Sequence, residues 1–134
     1  MGDVLKLSMP LPESVNHCYK NATRYSAYGR SYTGRVLTEE AKDWKEGMGI
    51  YAFSEMQKQD FMMIPKGTKF VMNIIVYWEN GRHGDCSNLL KLTEDSMKKW
   101  VFHDDKDCLP RFIDFSIDKK NPRLEIEIFA LKEA

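Results

Sequence analysis

Lys69-Phe70-Val71-Met72-Asn73-Ile74-Ile75-Val76-Tyr77-Trp78 is apolar almost without interruption and rich in β-branched and aromatic side chains. A strand buried on both faces has this composition, so the stretch predicts a strand at the centre of a sheet. Asn80-Gly81 supplies the turn that follows. Before it, residues 4–9 alternate, with Leu5, Leu7 and Met9 on one face, and Pro10 and Pro12 end the run. After it, residues 112–118 alternate, with Ile113, Phe115 and Ile117 together. Lys119-Lys120-Asn121-Pro122 turns the chain, and residues 123–130 alternate again with Leu124, Ile126 and Ile128 inward. These last two strands predict a C-terminal β-hairpin.

Two stretches carry the other period. Thr38 is placed to cap a helix, with Glu39 and Glu40 in its first turn. Ala41, Trp44, Met48, Tyr51, Ala52 and Met56 then recur at helical spacing, and the helix must end before Pro65. Gly47 and Gly49 each cost such a helix about 1 kcal/mol against alanine. Ser87 or Asp85 caps a second helix that runs to about Lys99, with Leu89, Leu92 and Ser96 on one side. Residues 13–34 are polar, tyrosine-rich and glycine-punctuated, and read as an extended loop with room for a short hairpin. Trp44, Trp78 and Trp100, with Met56, Met62 and Met63, read as core. The prediction is one α/β (α+β) domain over residues 1–134: a mixed β-sheet, two main helices and the C-terminal hairpin.

The chain is long enough, at 134 residues with 43% apolar content, to bury a core. No apolar run approaches the roughly 20 residues of a membrane helix. The N-terminus lacks a charged-then-apolar signal pattern, so secretion is not expected. Cys18, Cys86 and Cys108 form no CxxC pair, which argues against zinc and for a reducing cytoplasm. Formal net charge is zero, so charge alone makes no case for nucleic acid. Its distribution does. Residues 14–38 hold no Asp or Glu, and there His17, Lys20, Arg24, Arg30 and Arg35 interleave with Tyr19, Tyr25, Tyr28 and Tyr32. Such a segment suits phosphates and stacked bases.

The acids gather later. Asp85-Cys86-Ser87-Asn88-Leu89-Leu90-Lys91 opens the second helix, and Asp104-Asp105 follows it by a short connection. Helical spacing lines up Asp85, Asn88, Lys91 or Leu92, and Asp95. Carboxylates at a shared site suit Mg²⁺, which takes few protein groups and several waters. A lysine beside it neutralises charge on a phosphate. The bland alternative is a solvated acidic face; the Asn88 and Lys91 spacing argues against it. His103, just before Asp104, is a weaker candidate as a proton carrier.

The sequence resembles the RusA family of Holliday junction resolvases. Asp85 to Lys91, continuing to Asp95, is similar to the family's D-x-D-N-L-x-K…D helix. Val101-Phe102-His103-Asp104-Asp105 is similar to its aromatic-then-DD element, and Pro12-Glu13-Ser14-Val15-Asn16-His17-Cys18-Tyr19 to its P-x-S-x-N-x-x-Y segment. The resemblance implies a Mg²⁺-dependent (or Mn²⁺-dependent) endonuclease acting as a homodimer on branched, four-way DNA, in the cytoplasm of a bacterial or phage-infected cell. It implies Asp85 and Asp105 as metal ligands, Asp104 as a ligand or a group behind one, and Lys91 as the stabiliser of charge on the phosphate. Asn88 would orient the helix start or a water. Asn16, His17 and Tyr19, with Lys20, Arg24 and Arg82, would meet DNA. Two departures stand out: Ser87 replaces the second acid of D-x-D, and Arg82-His83-Gly84 replaces an arginine directly before the first aspartate. The alternative expectation is therefore a protein of the same fold that grips branched DNA without cutting it.

Overall fold

The computed structural model describes residues 2–12, 19–25 and 31–131. The elements in chain order are β1 (Leu5–Met9), β2 (Tyr19–Tyr25), β3 (Ser31–Leu37), α1 (Glu39–Lys58), β4 (Phe70–Trp78), α2 (Leu90–Met97), β5 (Cys108–Ile117) and β6 (Arg123–Ala130). Short 3-10 turns at Cys86–Leu89 and Asp105–Asp107 bracket α2. The main sheet has the order β1-β6-β4-β5. Among the described strands of this sheet, β4 and β5 are the pair that runs parallel, and the crossover between them carries α2.

The apolar run does lie inside the sheet. Phe70, Val71, Met72, Ile74 and Val76 are all at most 1% exposed. Leu5, Leu7 and Met9 of β1 and Leu124, Ile126 and Ile128 of β6 face the same core, as alternation requires. Thr38 caps α1 with its Oγ1 accepting from Ala41 N at 3.2 Å. Gly49 lets α1 lie close to the α2 end: a Cβ there would come within 2.9 Å of Ser96 O. Its cost in helix propensity is thus offset by a close helix contact.

Four expectations are corrected. The polar segment after β1 is not mainly loop. β2 and β3 pair antiparallel over seven residues each, from Tyr19↔Leu37 to Tyr25↔Ser31, as a separate two-stranded sheet. Backbone pairing overrode a composition that lacks apolar alternation. Second, the C-terminal strands are consecutive but do not pair with each other, because β4 lies between them. They form a split hairpin astride β4, parallel to it on one side and antiparallel on the other. The most apolar strand takes the position covered on both edges. Third, Ile113, Phe115 and Ile117 are 58%, 54% and 55% exposed. A bulge shifts β5 against β4 at Ile74/Ile75, so Ile113 lies with Asn73 and Ile75, while Phe115 pairs with Val76. One extra residue has put Ile113 on the opposite face from Phe115. Fourth, Met62 is 80% exposed and Trp100 is 39% exposed, so neither is core filler.

α2 is shorter than its spacing predicts. It ends at Met97, and Lys99 turns left-handed at φ 72°. There its N–H donates to Phe102 O at 2.6 Å, closing the turn that leads to Asp104. No described helix is long and apolar enough to cross a membrane.

Candidate active site

The site is built on the β4-to-β5 crossover. Asp85 precedes the Cys86–Leu89 turn without capping it through its side chain, and α2 starts from Leu89, so Ser87 does not stand at a cap position. Asp85 is exposed. With Arg82, His83, Asn88 and Leu89, and with Leu11 and Pro12 from the end of β1, it lines a cleft of about 390 Å³. Ser87 is exposed beside it and brings no charge. Arg82 is exposed at the rim, its N–H donating to Asn80 Oδ1 at 2.8 Å.

One turn further on, α2 has a buried side and a solvent side. Leu92, Thr93, Ser96 and Met97 are buried. Thr93 Oγ1 donates to Leu89 O and Ser96 Oγ to Thr93 O, both at 2.7 Å, so their hydroxyls are satisfied by the helix itself. Of the two alternatives at the third position, Lys91 faces solvent and Leu92 the core. Lys91 Nζ pairs with Asp95 one turn on, at 3.3 Å. Asp95 thus holds the ammonium group along the helix.

Asp104 and Asp105 enter from the other end of α2. Asp104 precedes the Asp105–Asp107 turn, and its Oδ1 accepts from Lys106 N at 3.2 Å. That donation, and then the hydrogen bond shared with Asp105, hold the Asp104 carboxyl below the usual range. Asp107 is used locally, accepting from Gly67 N at 3.2 Å. His103 is exposed.

Glu94 is the acid that spacing alone did not single out. Burial, and then the charge of Asp105, push its carboxyl up, while the Cys108 thiol donates to it. In return, burial and the Glu94 carboxylate push the Cys108 thiol up to about 12. Cys108 is therefore a neutral donor and not a nucleophile. Glu94 lies three residues after Lys91, which was the available signal. The folded protein keeps a proton on Glu94 at pH values where the unfolded chain has lost it. Stability therefore falls as pH rises from the ordinary glutamate range through the raised value. Glu94→Gln should melt higher than the wild type above that window and like it below, in metal-free buffer by calorimetry.

The structure thus presents two groups. Asp85 and Asn88 share the cleft; Lys91, Glu94, Asp95 and Asp105, with Asp104, form an electrostatic group around α2. Among the described residues no three His, Cys, Asp or Glu side chains converge as a metal-binding group. Among the described residues the accessible donors are carboxylate oxygens, and they form no closed cage. That donor set fits a hard ion held by one or two carboxylates and water, as Mg²⁺ is, and not a caged zinc or calcium. Tyr19, Lys20 and Arg24 lie on β2, and Asn16 and His17 fall outside the described residues.

The sequence model of the family described as Endodeoxyribonuclease RusA matches residues 15–129. This chain belongs to the RusA endodeoxyribonuclease family. RusA membership implies an endodeoxyribonuclease that resolves Holliday junctions, and branched DNA as its partner. The match spans β2 through most of β6, so both the acidic crossover and the β2–β3 pair lie inside the RusA domain. A comparison with curated proteins finds no match.

Proposed function

We infer that the protein is a Mg²⁺-dependent endodeoxyribonuclease that nicks branched DNA and works as a homodimer. One observation carries the reading: Asp85 is exposed, caps nothing, and stands at the head of the same short crossover that carries Lys91 and Asp105. Asp85 and Asp105, with Asp104 beside it, are the residues that would hold Mg²⁺. When bound, the ion would polarise the phosphodiester and lower the pKa of a water. Lys91, held by Asp95, would offset the charge that grows on the phosphate oxygens. Asn88 would orient the strand or a water beside Asp85. Arg82 and the basic β2–β3 segment would hold flanking phosphates. Two symmetric nicks require two sites about a two-fold axis, which a dimer supplies.

A second reading has one observation in its favour. Ser87 is exposed where the family pattern carries an acid, and no three acids converge among the described residues. On that reading the protein binds junctions without cutting. The test is a synthetic four-way junction with Mg²⁺ or Mn²⁺, against linear duplex of the same sequence. Cleavage of the junction alone by the wild type supports the nuclease. Binding without nicking, with cleavage gained by Ser87→Asp, supports the binder. If the junction is not bound, or if binding is indifferent to salt, both readings fail, because phosphate contacts weaken steeply as salt rises.

A further inference from the structure

The cleft beside Asp85 has walls that phosphodiester chemistry does not require. Trp78 and His83 lie face to face, centroids 4.5 Å apart and planes within 10°. Phe115 meets His83 edge-on at 5.4 Å and is itself 54% exposed. His83 Nδ1 donates to Gly84 O at 2.8 Å, which holds the ring against rotation and leaves Nε2 as the acceptor of the neutral form. Trp78 is 8% exposed, and its indole N–H makes no hydrogen bond among the described residues. Burial pushes the Cys86 thiol up, and its sulfur, a weak acceptor, is near enough for the indole to offset part of that shift but not to meet hydrogen-bond geometry. Asn80 and Asn88 bring amides to the same cleft. The Asn88 amide lies against the Gly84 backbone, its Nδ2 3.6 Å from where a Cβ would stand.

Charge decides what such a cleft takes. Among the described residues, Glu79 and Asp85 line it against one cation, Arg82, at its rim. Without a bridging metal ion, a phosphate inside would be repelled by two carboxylates, whereas a neutral base would carry no such cost. The volume of about 390 Å³ is at the low end for small-ligand sites, enough for one nucleotide and not for a duplex. Fixed rings for stacking and amides for a base edge are the two means by which proteins hold an unpaired base.

We propose that this cleft holds one unpaired nucleobase of the DNA strand whose phosphate meets Asp85, with the His83–Trp78 pair as its wall and the Asn88 amide at its edge. The inference rests on the nuclease reading and adds a recognition element to it. Unstacking costs least where pairing is already disturbed, so the pocket would favour a branch point over a regular duplex.

The test uses the full chain in EDTA with four-way junctions carrying 2-aminopurine, one position at a time, around the exchange point. Wild-type binding should raise the fluorescence at least about threefold at one position, as an unstacked base requires. His83→Ala should abolish that rise and weaken junction binding about tenfold. His83→Phe keeps a stacking ring and should restore both, which separates a lost wall from a lost fold. A junction abasic at the responsive position should bind the wild type and His83→Ala equally. Tight junction binding with no rise at any position, or an unchanged rise in His83→Ala, overturns the pocket and leaves the nuclease reading standing. Failure of the wild type to bind junctions overturns both.

Discussion

Phe102→Ala lowers the free energy of unfolding by about 3–5 kcal/mol, the range for deleting a fully buried phenylalanine ring. Phe102 is 0% exposed and tilts against Phe70 of β4 with centroids 4.6 Å apart. Truncation removes that contact and leaves a cavity that β4, a strand paired on both edges, cannot collapse to fill. The backbone around it is equally committed. Phe102 bridges to Ile64 and Lys98, and its carbonyl accepts from Lys99. Two residues later the chain reaches Asp104, so a loosened Phe102 also loosens the acidic turn. Urea denaturation followed by tryptophan fluorescence gives the number. Met62→Ala, at an 80% exposed position, is the control and should stay within about 0.5 kcal/mol of wild type. A loss below about 1 kcal/mol for Phe102→Ala would mean that the ring is not the anchor of this turn.

Asp85→Asn should do the reverse: cleavage of a four-way junction falls by about 10²–10³-fold while stability hardly moves. The side chain is exposed and caps nothing, so the fold draws no support from its charge. The substitution keeps the shape and removes the negative charge a divalent ion needs. Single-turnover cleavage at saturating protein reads the chemical step, and thermal melting reads the fold. If the variant cuts at more than about a tenth of the wild-type rate, Asp85 is not a ligand, since even indirect support for a metal typically costs 10–100-fold. If it melts well below the wild type, Asp85 has a structural role that its surroundings do not explain.

The two predictions separate the two halves of one crossover. Phe102 is where the crossover is tied to the core, and Asp85 is where it is left free. The Lys91–Asp95 pair lies between these limits. It is a surface ion pair, with Lys91 half exposed, so its worth to stability is at most about 1 kcal/mol. On the nuclease reading, its use is to hold a cation in one place.

Much was legible from residues alone. The unbroken apolar run 69–78 has no solvent-facing side, which leaves only an interior strand. The 3.6 period through Ala41, Ala52 and Met56 required a helix, and Thr38 marked its start within a residue. The order of Asp85, Asn88, Lys91 and Asp104-Asp105 pointed to the family that the match over residues 15–129 establishes. These features are local, because periodicity, capping and spacing are properties of a short segment.

What tertiary structure decided was non-local in each case. Alternation in residues 112–118 is real, yet a single bulged residue put Ile113 on the other face from Phe115. Two adjacent strands joined by a turn read as a hairpin, but which strand lies between them depends on the packing of a whole sheet. Glu94 became part of the site because Asp105 and Cys108 return beside it, and His83 became part of a wall because it lands on Trp78. Sequence determined the strands of the main sheet, the two helices and where the acids lay, whereas the β2–β3 pair emerged only in the fold. Only the fold decided which side chains meet, because the free energy of a pairing between distant segments belongs to both partners and is written in neither alone.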